Sequence, residues 1–439
     1  MSGIGWDVLL GLMGGALVVL MGIGVPVAFA FLALNLAGAF LILGGESGLR
    51  LLALSTTEAV TSFALVPIPL FILMGEVLLH TGLATRAIHA IERLITGVPG
   101  RLSLVAVVSG GVFASLSGSS IANTAVLGRV LLPDMLRLGY HPVLSVGPIL
   151  GIGGVAMLIP PSALAVLFGS LAGISISRLL LAGIVPGMLL AALFFLFIVA
   201  ISRMRPSLAP AQDDEIEPFR DRLRPFLIHV VPLMAIVVIV VGSILGGYPT
   251  PTESAALGSL ATVIAAAAYR SLTWTSIRRA LAGTAATTAM IFIIISGSIT
   301  FSQILSFSGA TRELVGLVTA LDIEIGTLIL MMLLVALLLG MLMDQISIML
   351  ITLPFFMPLI GMGGVDPIWF GVLMLIALEV GLITPPFGLL LFIMKSVAPE
   401  EVTMRQILVS IVPYIGIELL GLLLVFLFPI LALWLPGFL

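Results

Sequence analysis

Long stretches without a charged residue follow one another along most of the chain, separated by short polar segments. The clearest apolar stretches are Leu102–Gly128, Pro142–Ser177, Leu179–Ser202, Ala280–Thr311 and Ile325–Met343. Each is close to or longer than the ~20 residues that an α-helix needs to cross a bilayer. They are continuously apolar rather than alternating, which argues against the strands of a β-barrel. The pattern therefore predicts an all-α polytopic membrane protein.

The composition agrees with this class of protein and excludes several kinds of site. Of 439 residues, 60% are hydrophobic and 9% are charged, whereas about 25% are charged in a typical soluble domain. Cysteine is absent, which excludes disulfides and cysteine metal sites. The single lysine, Lys395, follows Met394, so no Gly-Lys-Ser/Thr phosphate-binding loop exists and transport would need an ion gradient or a partner. The segment Met1–Asp7 has no basic region, so we expect no cleaved signal peptide.

Two proline pairs interrupt membrane-length apolar stretches, in Ile159–Ser162 and Ile383–Pro386. Proline lacks an amide hydrogen and breaks a helix. Within a bilayer a broken helix is tolerated only where its freed backbone groups are buried in protein or line a polar cavity. Matched broken spans in two halves of a chain are the best sequence indication of a substrate site in a secondary transporter.

The chain contains an internal repeat at an offset of about 226 residues. The recurring pairs are Ala84–Arg86 with Ala310–Arg312, Pro133 with Pro358, Pro160–Pro161 with Pro385–Pro386, and Ile184–Pro186 with Ile411–Pro413. Spaced anchors at nearly one offset indicate two homologous halves. We therefore predict a first repeat at 1–201, a polar cytoplasmic arm or linker at 202–225, and a second repeat at 226–439. The arm is interpreted either as a solvated loop or as an amphipathic helix.

The distribution of basic residues predicts the topology. We place the arginines of the arm on the cytoplasmic side. Of the 18 Lys and Arg residues, 14 then fall on that side, and the other four are Arg50, Arg129, Arg178 and Arg312. Both termini then lie outside, and ten full crossings result. Two further stretches, about 102–136 and about 326–361, are predicted to be re-entrant hairpins that open to opposite sides. This is the arrangement of two inverted repeats around one midplane site.

The predicted tip of the first hairpin is rich in hydroxyl and amide side chains. Ser115–Thr124 contains five serines and threonines, one glycine and Asn123. Small residues of this kind either allow close helix packing or offer oxygen ligands to a hard cation. The clustering favours a turn that binds Na+, with close packing as the alternative.

The predicted tip of the second hairpin carries Asp344 and Gln345. Asp344 is flanked by long apolar stretches, and a carboxylate inside a membrane is expensive enough to suggest a function. We expect it to add a charged oxygen to a second cation site. The alternative is an interfacial loop aspartate.

The broken crossings provide the remaining walls of the predicted site. Unwound carbonyls can coordinate a cation, while the N-termini of half-helices attract an anion. The polar side chains nearest the breaks are Ser162 and Thr384. Glu76, Glu379 and Glu418 are also acidic residues in apolar surroundings, and could relay protons or pair with an arginine. None of them has an evident partner in the sequence, so we do not assign them to the site.

One motif is interpreted as structural. Thr250, Pro251 and Glu253 match an N-cap, a first-turn proline and the third helical position of a capping box.

Several motifs together resemble the large membrane subunit of tripartite ATP-independent periplasmic (TRAP) transporters over nearly the whole chain. They are Pro67–Gly75, Gly118–Thr124, Leu158–Ser162, Leu181–Gly187, Tyr248–Ala256 and Gly381–Gly388. Where the family often has asparagine, four residues after the second proline of the last motif, this chain has Leu390.

The resemblance implies Na+-coupled uptake of a small organic acid by an elevator-type transporter in the bacterial inner membrane. The implied partners are a periplasmic substrate-binding protein, a small four-helix membrane subunit and the lipid bilayer, with no nucleic acid. The predicted substrate-binding residues are Ser120, Asn123, Thr124, Ser162, Thr384 and Pro385. The predicted Na+ ligands are Ser117, Ser119, Asn123, Gly154, Asp344, Gln345 and Thr384.

Alternatives from other classes remain open at this point. The first is a stand-alone Na+/dicarboxylate symporter that needs no binding protein, and another is a channel or scaffold. A rhomboid-like serine protease would use Ser119 with His141 or His229 as base. Both histidines flank charged loops rather than lying mid-span, so we expect a transporter and no enzyme.

Overall fold

A computed structural model describes residues 6–210, 218–246, 250–321 and 323–439. These residues form helices joined by turns and short irregular segments, without a β-strand among them. The all-α class predicted from the apolar pattern is therefore confirmed. The first residues of the N-terminal segment, the acidic run Asp213–Glu215 and Tyr248 lie outside the described residues.

Twelve α-helices occupy the described residues of the first half, 6–210. They are α1 (Trp6–Gly22), α2 (Val27–Ile42), α3 (Glu46–Thr61), α4 (Pro67–Thr81), α5 (Leu83–Leu94), α6 (Arg101–Ser117), α7 (Ser120–Val130), α8 (Leu132–Arg137), α9 (Pro142–Gly154), α10 (Ala163–Ala172), α11 (Ile176–Ala182) and α12 (Ile184–Met204).

The second half of the chain is also helical in its described residues. Several of its helices begin about 226 residues after helices of the first half. The helices of the second half are α13 (Phe219–His229), α14 (Val231–Leu245), α15 (Pro251–Ala268), α16 (Trp274–Phe307), α17 (Ala310–Ala320), α18 (Ile325–Gly340), α19 (Gln345–Met362), α20 (Pro367–Ile383), α21 (Leu389–Val397), α22 (Met404–Leu427) and α23 (Ile430–Leu433). Helices α5, α9 and α10 recur as α17, α20 and α21 about 226 residues later. These helix boundaries have the offset of the sequence repeat, while the division into two inverted repeats stays a prediction.

Both proline pairs interrupt helices as predicted. Helix α9 ends at Gly154 and passes through a 3-10 turn, and α10 begins only at Ala163. Helix α20 ends at Ile383, and α21 begins at Leu389. The Pro160–Pro161 and Pro385–Pro386 peptide bonds are both cis. The missing amide hydrogens of the prolines explain why neither helix continues.

The chain also turns at the two predicted hairpin tips. Helix α6 ends at Ser117 and α7 begins at Ser120, with Gly118 in the left-handed region at φ 58°, where a residue without Cβ is favoured. Helix α18 ends at Gly340 and α19 begins at Gln345. The tips therefore lie where the polar residues interrupt the apolar pattern. Re-entry of the two hairpins into a membrane stays a prediction.

Five helical segments in the described part of the chain are long and apolar enough to cross a membrane, or six if a bent pair is one span. The bent pair is α13 and α14, which meet at 43°. Several other apolar helices have only 10–17 residues, and breaks or turns separate many of them. The ten predicted crossings therefore depend on shorter and broken helices, and their number stays a prediction.

The helices form two compact units that do not coincide with the two sequence halves. Unit 1 comprises residues 1–64, 286–335 and 346–367. Unit 2 comprises residues 65–285, 336–345 and 368–439. Each unit thus combines segments from both predicted repeats.

Unit 1 is built around α1–α3 and part of α16. Phe31 and Phe301 pack edge to face with ring centroids 5.4 Å apart. Ser55 Oγ donates a hydrogen bond to Gln303 Oε1 at 2.8 Å, and Asn35 Nδ2 donates to the carbonyl oxygen of Gly297 at 2.5 Å. Polar side chains therefore join α2 and α3 to α16 inside an otherwise apolar unit.

Unit 2 places the two broken helices at its centre. Residues 144–154 of α9 are all buried, as are all but two residues of α20. Tyr414 of α22 packs on α9 at Gly147 and Gly151, since a Cβ at Gly147 would lie 2.2 Å from the Tyr414 ring. Helices that are apolar on every side suit such a buried position.

The arm predicted at 202–225 is partly helical. Helix α12 extends to Met204, and α13 begins at Phe219, so Arg220, Arg222 and Arg224 belong to a helix. Helix α13 packs on α5. The second part of the arm is therefore helical rather than a loop, while the cytoplasmic placement of 202–225 stays a prediction. The capping box at Thr250 and Glu253 is also confirmed.

Candidate functional site

The first hairpin tip uses two of its serines to start and end helices. Ser117 is the last residue of α6 and is 6% exposed. Ser119 is the N-cap of α7, and its side chain accepts a hydrogen bond from the Ala122 amide at 3.3 Å. Capping satisfies an amide that the helix itself leaves unpaired. Both predicted Na+ ligands thus have a local structural role as well.

The tip contacts the first proline break. A Cβ placed on Gly118 would lie 2.9 Å from the Pro161 carbonyl oxygen and 3.5 Å from Ser162 Cα. Ser162 is fully buried and caps α10 by accepting from the Ala165 amide at 3.2 Å. Only glycine allows the tip this approach, so the predicted proximity of the first hairpin and first break is present within unit 2.

Helix α7 presents three fully or almost fully buried polar side chains, Ser120, Asn123 and Thr124. Asn123 Nδ2 donates to the carbonyl oxygens of Gly110 and Ile152 at 3.2 and 3.4 Å. Asn123 Oδ1 and Thr124 Oγ1 are buried without a hydrogen-bond partner. Thr124 Oγ1 would lie 2.7 Å from a Cβ at Gly153. This face of α7 therefore brings unsatisfied oxygens to the end of α9.

Glu379 of α20 joins this face to the second half of the chain. Its side chain is 2% exposed, and Ser120 Oγ donates to Glu379 Oε1 at 2.6 Å. The Gln345 amide from the second hairpin faces the same carboxylate, although Gln345 Nε2 reaches no acceptor at hydrogen-bond distance. Glu379 therefore lies between side chains of the two hairpin tips.

A second carboxylate, Glu418 of α22, lies beside the end of α9. It is 1% exposed, and a Cβ on Gly154 would lie 2.7 Å from Glu418 Oε1 and 3.5 Å from Glu379 Cβ. Glu418 and Glu379 are close enough to repel one another electrostatically. Glycine at position 154 thus leaves space for two carboxylates at one helix end.

The second break is more open than the first. Thr384 and Pro385 are half-buried, and Thr384 Oγ1 donates to the Val380 carbonyl oxygen of its own helix. Asp344 is half-buried and immediately precedes α19. The backbones of Gly340 and Gly381 lie against each other, since a Cβ on Gly340 would be 2.6 Å from Gly381 Cα. The helix leading into the second tip therefore packs directly on the helix leading into the second break.

The predicted ligands lie in unit 2, but they do not all meet. Ser120, Gly154 and Gln345 lie beside the Glu379 or Glu418 side chain. Asn123 and Thr124 lie at the end of α9, at Ile152 and Gly153. Ser117, Ser119 and Ser162 lie at the first tip and break, whereas Thr384, Pro385 and Asp344 lie at the second break and tip.

The inner group is deficient in positive charge. Glu379 Oε2 and both Glu418 carboxylate oxygens have no hydrogen-bond partner, and neither residue forms an ion pair in the described part of the chain. Leaving carboxylates unpaired in a low-dielectric interior is strongly unfavourable. Oxygen atoms from carboxylate, amide and hydroxyl groups are the donors that a hard cation such as Na+ prefers. The residues present therefore fit a small hard cation.

Glu379 and Glu418 are the functional candidates that sequence reasoning missed. The argument that selected Asp344, a carboxylate within a long apolar stretch, applies equally to both. Their relation to Ser120 and Gly154 depends on contacts between residues at least 225 positions apart. That part of the signal is absent from local sequence patterns.

The long apolar helices define a multi-pass membrane protein. Residues 15–431 match the family model described as "Tripartite ATP-independent periplasmic transporter, DctM component". The chain belongs to this family, the large permease subunits of TRAP transporters, and the predicted resemblance is confirmed.

Curated relatives match along nearly their whole lengths. The chain is 32% identical to the C4-dicarboxylate TRAP transporter large permease protein DctM of Pseudomonas aeruginosa, covering 92% of this chain and 94% of the relative. It is also 32% identical to the 2,3-diketo-L-gulonate TRAP transporter large permease protein YiaN of Escherichia coli, covering 92% and 93%.

A solved structure supports the fold. The Alcanivorax borkumensis YdaH transporter aligns with a TM-score of 0.66 at 15% identity, covering 92% of this chain and 97% of YdaH. At this identity the likeness concerns the fold alone.

Proposed function

We propose that this chain is the permease of a TRAP system that couples Na+ to the uptake of a small organic anion. The observation that carries the ion coupling is the group of buried oxygen atoms around Glu379 without a positive partner. A cation that enters with the substrate would neutralise these carboxylates. The family membership supports the transport class.

Within this proposal, Glu379, Glu418, Asn123 and Thr124 supply oxygens to a cation near Gly154. Asp344 and Gln345 at the second tip, with Thr384, supply a second set. The serines of the first tip, Ser117 and Ser119, orient α7, and their remaining lone pairs contribute to the same polar centre.

The organic anion would lie at the breaks. The N-termini of α7 and α10, capped by Ser119 and Ser162, carry partial positive charge that favours a carboxylate. Ser120, Thr384 and Pro385 are the other proposed contacts. Leu390, where the family often has asparagine, is fully buried and lies near Gly153.

The proposed mechanism is an elevator motion in a bacterial inner membrane. The site-bearing hairpins and broken helices would carry ion and anion across together, with the two hairpins as gates. A periplasmic binding protein would deliver the anion, and a small four-helix membrane subunit would accompany this chain. The P. aeruginosa and E. coli relatives transport C4-dicarboxylate and 2,3-diketo-L-gulonate by name, so a carboxylate is the proposed substrate class.

Proteoliposome uptake tests the class. The chain is reconstituted with the proposed small subunit and supplied with labelled succinate or 2,3-diketo-L-gulonate, with and without a periplasmic substrate-binding protein of a TRAP system. We expect uptake only with both the binding protein and an inward Na+ gradient. Efficient uptake by the chain alone would instead favour the stand-alone Na+/dicarboxylate symporter. Transport indifferent to Na+ would reject the coupling.

Asp344→Ala tests the second cation set. Loss of a charged ligand predicts that Na+-driven uptake is abolished at normal expression, because one neutralising oxygen pair is missing. Asp344→Asn keeps the side-chain shape and separates charge from size. Wild-type Na+ dependence in Asp344→Ala would remove Asp344 from the site.

A further inference from the structure

A basic cavity of about 550 Å³ lies between α5 and α13 in unit 2. Five of its lining residues carry or can carry positive charge, and one is acidic. They are Arg86, His89, Arg93, Arg101, His229 and Glu92. The cavity is separate from the buried oxygens around Glu379, and the transport proposal makes no use of it.

The single acid does not neutralise the cavity. Glu92 is engaged by Arg101 at 3.5 Å and by His89 at 3.4 Å. Arg86 donates to the carbonyl oxygen of Tyr269 at 3.5 Å, and neither Arg86 nor Arg93 forms an ion pair in the described part of the chain. The cavity therefore keeps two guanidinium groups available for an anion.

A buried nitrogen atom of His229 is a further polar feature of the cavity. His229 Nδ1 is buried and has no hydrogen-bond partner, although its ring lies 5.5 Å from the Tyr269 ring. Unsatisfied buried polar atoms at a cavity indicate a missing ligand or water. The site thus combines charge with an unsatisfied polar atom.

The surroundings place the cavity at a membrane interface. Tyr269 and the 79% exposed Trp274 lie close together in the chain, and such aromatic residues concentrate at headgroup depth. An exposed apolar surface begins beside the cavity with Leu227, Ile228 and Val231, which are 51%, 42% and 42% exposed. Arginines at this level attract the anionic lipids of the cytoplasmic leaflet.

We propose that the cavity binds the phosphate headgroup of an anionic phospholipid. Arg86 and Arg93 contact the phosphate, and the acyl chains lie along the apolar surface of α13 and α14. The continuity between the basic cavity and this apolar surface favours a lipid over free phosphate. Because the second part of the polar arm lies in α13, a bound lipid would also fix this part of the arm against α5.

Binding of soluble short-chain lipids to the purified full chain tests the proposal. Dioctanoyl phosphatidylglycerol is titrated in parallel with dioctanoyl phosphatidylcholine and potassium phosphate, with thermal melting as the readout. We expect phosphatidylglycerol to stabilise the wild-type chain most. Arg86→Gln/Arg93→Gln should weaken its binding about 30-fold, as expected for two lost arginine–headgroup interactions.

The matched control is Arg278→Gln/Arg279→Gln, which removes the same charge at two exposed residues outside the cavity. We expect this variant to bind phosphatidylglycerol as the wild type does. Equal losses in both variants, or wild-type binding by Arg86→Gln/Arg93→Gln, would overturn the site. Equal stabilisation by phosphatidylcholine would overturn the anionic headgroup, and equal stabilisation by phosphate would overturn the lipid. Melting temperatures without lipid show whether each variant is folded.

Discussion

Units 1 and 2 differ in which of their buried polar groups lack a hydrogen-bond partner. In unit 1, Asn35, Ser55 and Ser298 each bond a neighbouring helix, to Gly297, Gln303 and Leu350. The unsatisfied side-chain atoms found there, Asn35 Oδ1 and Thr288 Oγ1, are neutral. In unit 2 the unsatisfied atoms include three carboxylate oxygens of Glu379 and Glu418.

This difference distinguishes buried polar groups that hold helices together, in unit 1, from buried polar groups that are proposed to bind a ligand, in unit 2. Hydrogen bonds between helices in unit 1 stabilise an assembly that is complete by itself. Unit 2 buries two carboxyl groups whose oxygens are largely without a partner, and such groups are neutralised either by a proton or by a bound cation. Three substitutions test whether this contrast is real, beginning with the largest expected effect.

Glu379→Gln removes a carboxylate charge with little change of shape. A charge about 4 Å from a bound cation contributes roughly 4 kcal/mol at an effective dielectric of 20. We therefore expect the Na+ concentration for half-maximal thermal stabilisation to rise at least ~100-fold. Melting in NaCl against choline chloride measures this.

Ser55→Ala in unit 1 is the control for that experiment. It removes one hydrogen bond to Gln303, so a loss of about 1 kcal/mol in stability is expected, with unchanged Na+ dependence. If Ser55→Ala altered the response to Na+ as much as Glu379→Gln does, the distinction between the units would be wrong.

Gly381→Ala tests the backbone contact in unit 2. The added Cβ would lie 2.7 Å from Gly340 Cα, and backbone atoms have little freedom to move aside. We expect a loss of about 1–3 kcal/mol in stability. Gly416→Ala, in α22 with nothing within 4 Å of the new Cβ, should instead be neutral or stabilising by up to about 1 kcal/mol. Thermal melting distinguishes them, and equal effects would contradict the close approach.

Thr124→Val has the smallest expected effect on stability, and the direction of that effect is the informative result. Its hydroxyl is buried without a partner, so an isosteric methyl should stabilise the Na+-free chain by about 1 kcal/mol. The same change should weaken stabilisation by Na+ because an oxygen ligand is lost. Destabilisation of the Na+-free chain would show that the hydroxyl has a structural partner.

Much of the fold follows from local sequence patterns. The proline pairs end α9 and α20, the polar tips separate α6 from α7 and α18 from α19, and Thr250 begins α15, all as predicted. These features depend on residues close together in the chain. The division into units joins distant segments, so no local periodicity could reveal it.

The site was predictable in part for the same reason. Ser120, Asn123 and Gly154 were selected by their own chemistry, and contacts within unit 2 bring them together. The neighbours of Glu379 and Glu418 come from distant helices, so local sequence patterns do not connect them to the site. The Na+ measurements above test their assignment as ligands.

The position of Glu379 has one further consequence, which is thermodynamic linkage between the binding of a cation and the binding of an anion. Its carboxylate faces Ser120 from one hairpin and Gln345 from the other. On the proposed mechanism, a cation bound there would affect both hairpins at once, and an anion held by either hairpin would in turn change the affinity for the cation. Linkage requires the two affinities to rise by the same factor. The Na+ dependence of substrate affinity and the substrate dependence of Na+ affinity are then one quantity, measurable from either side.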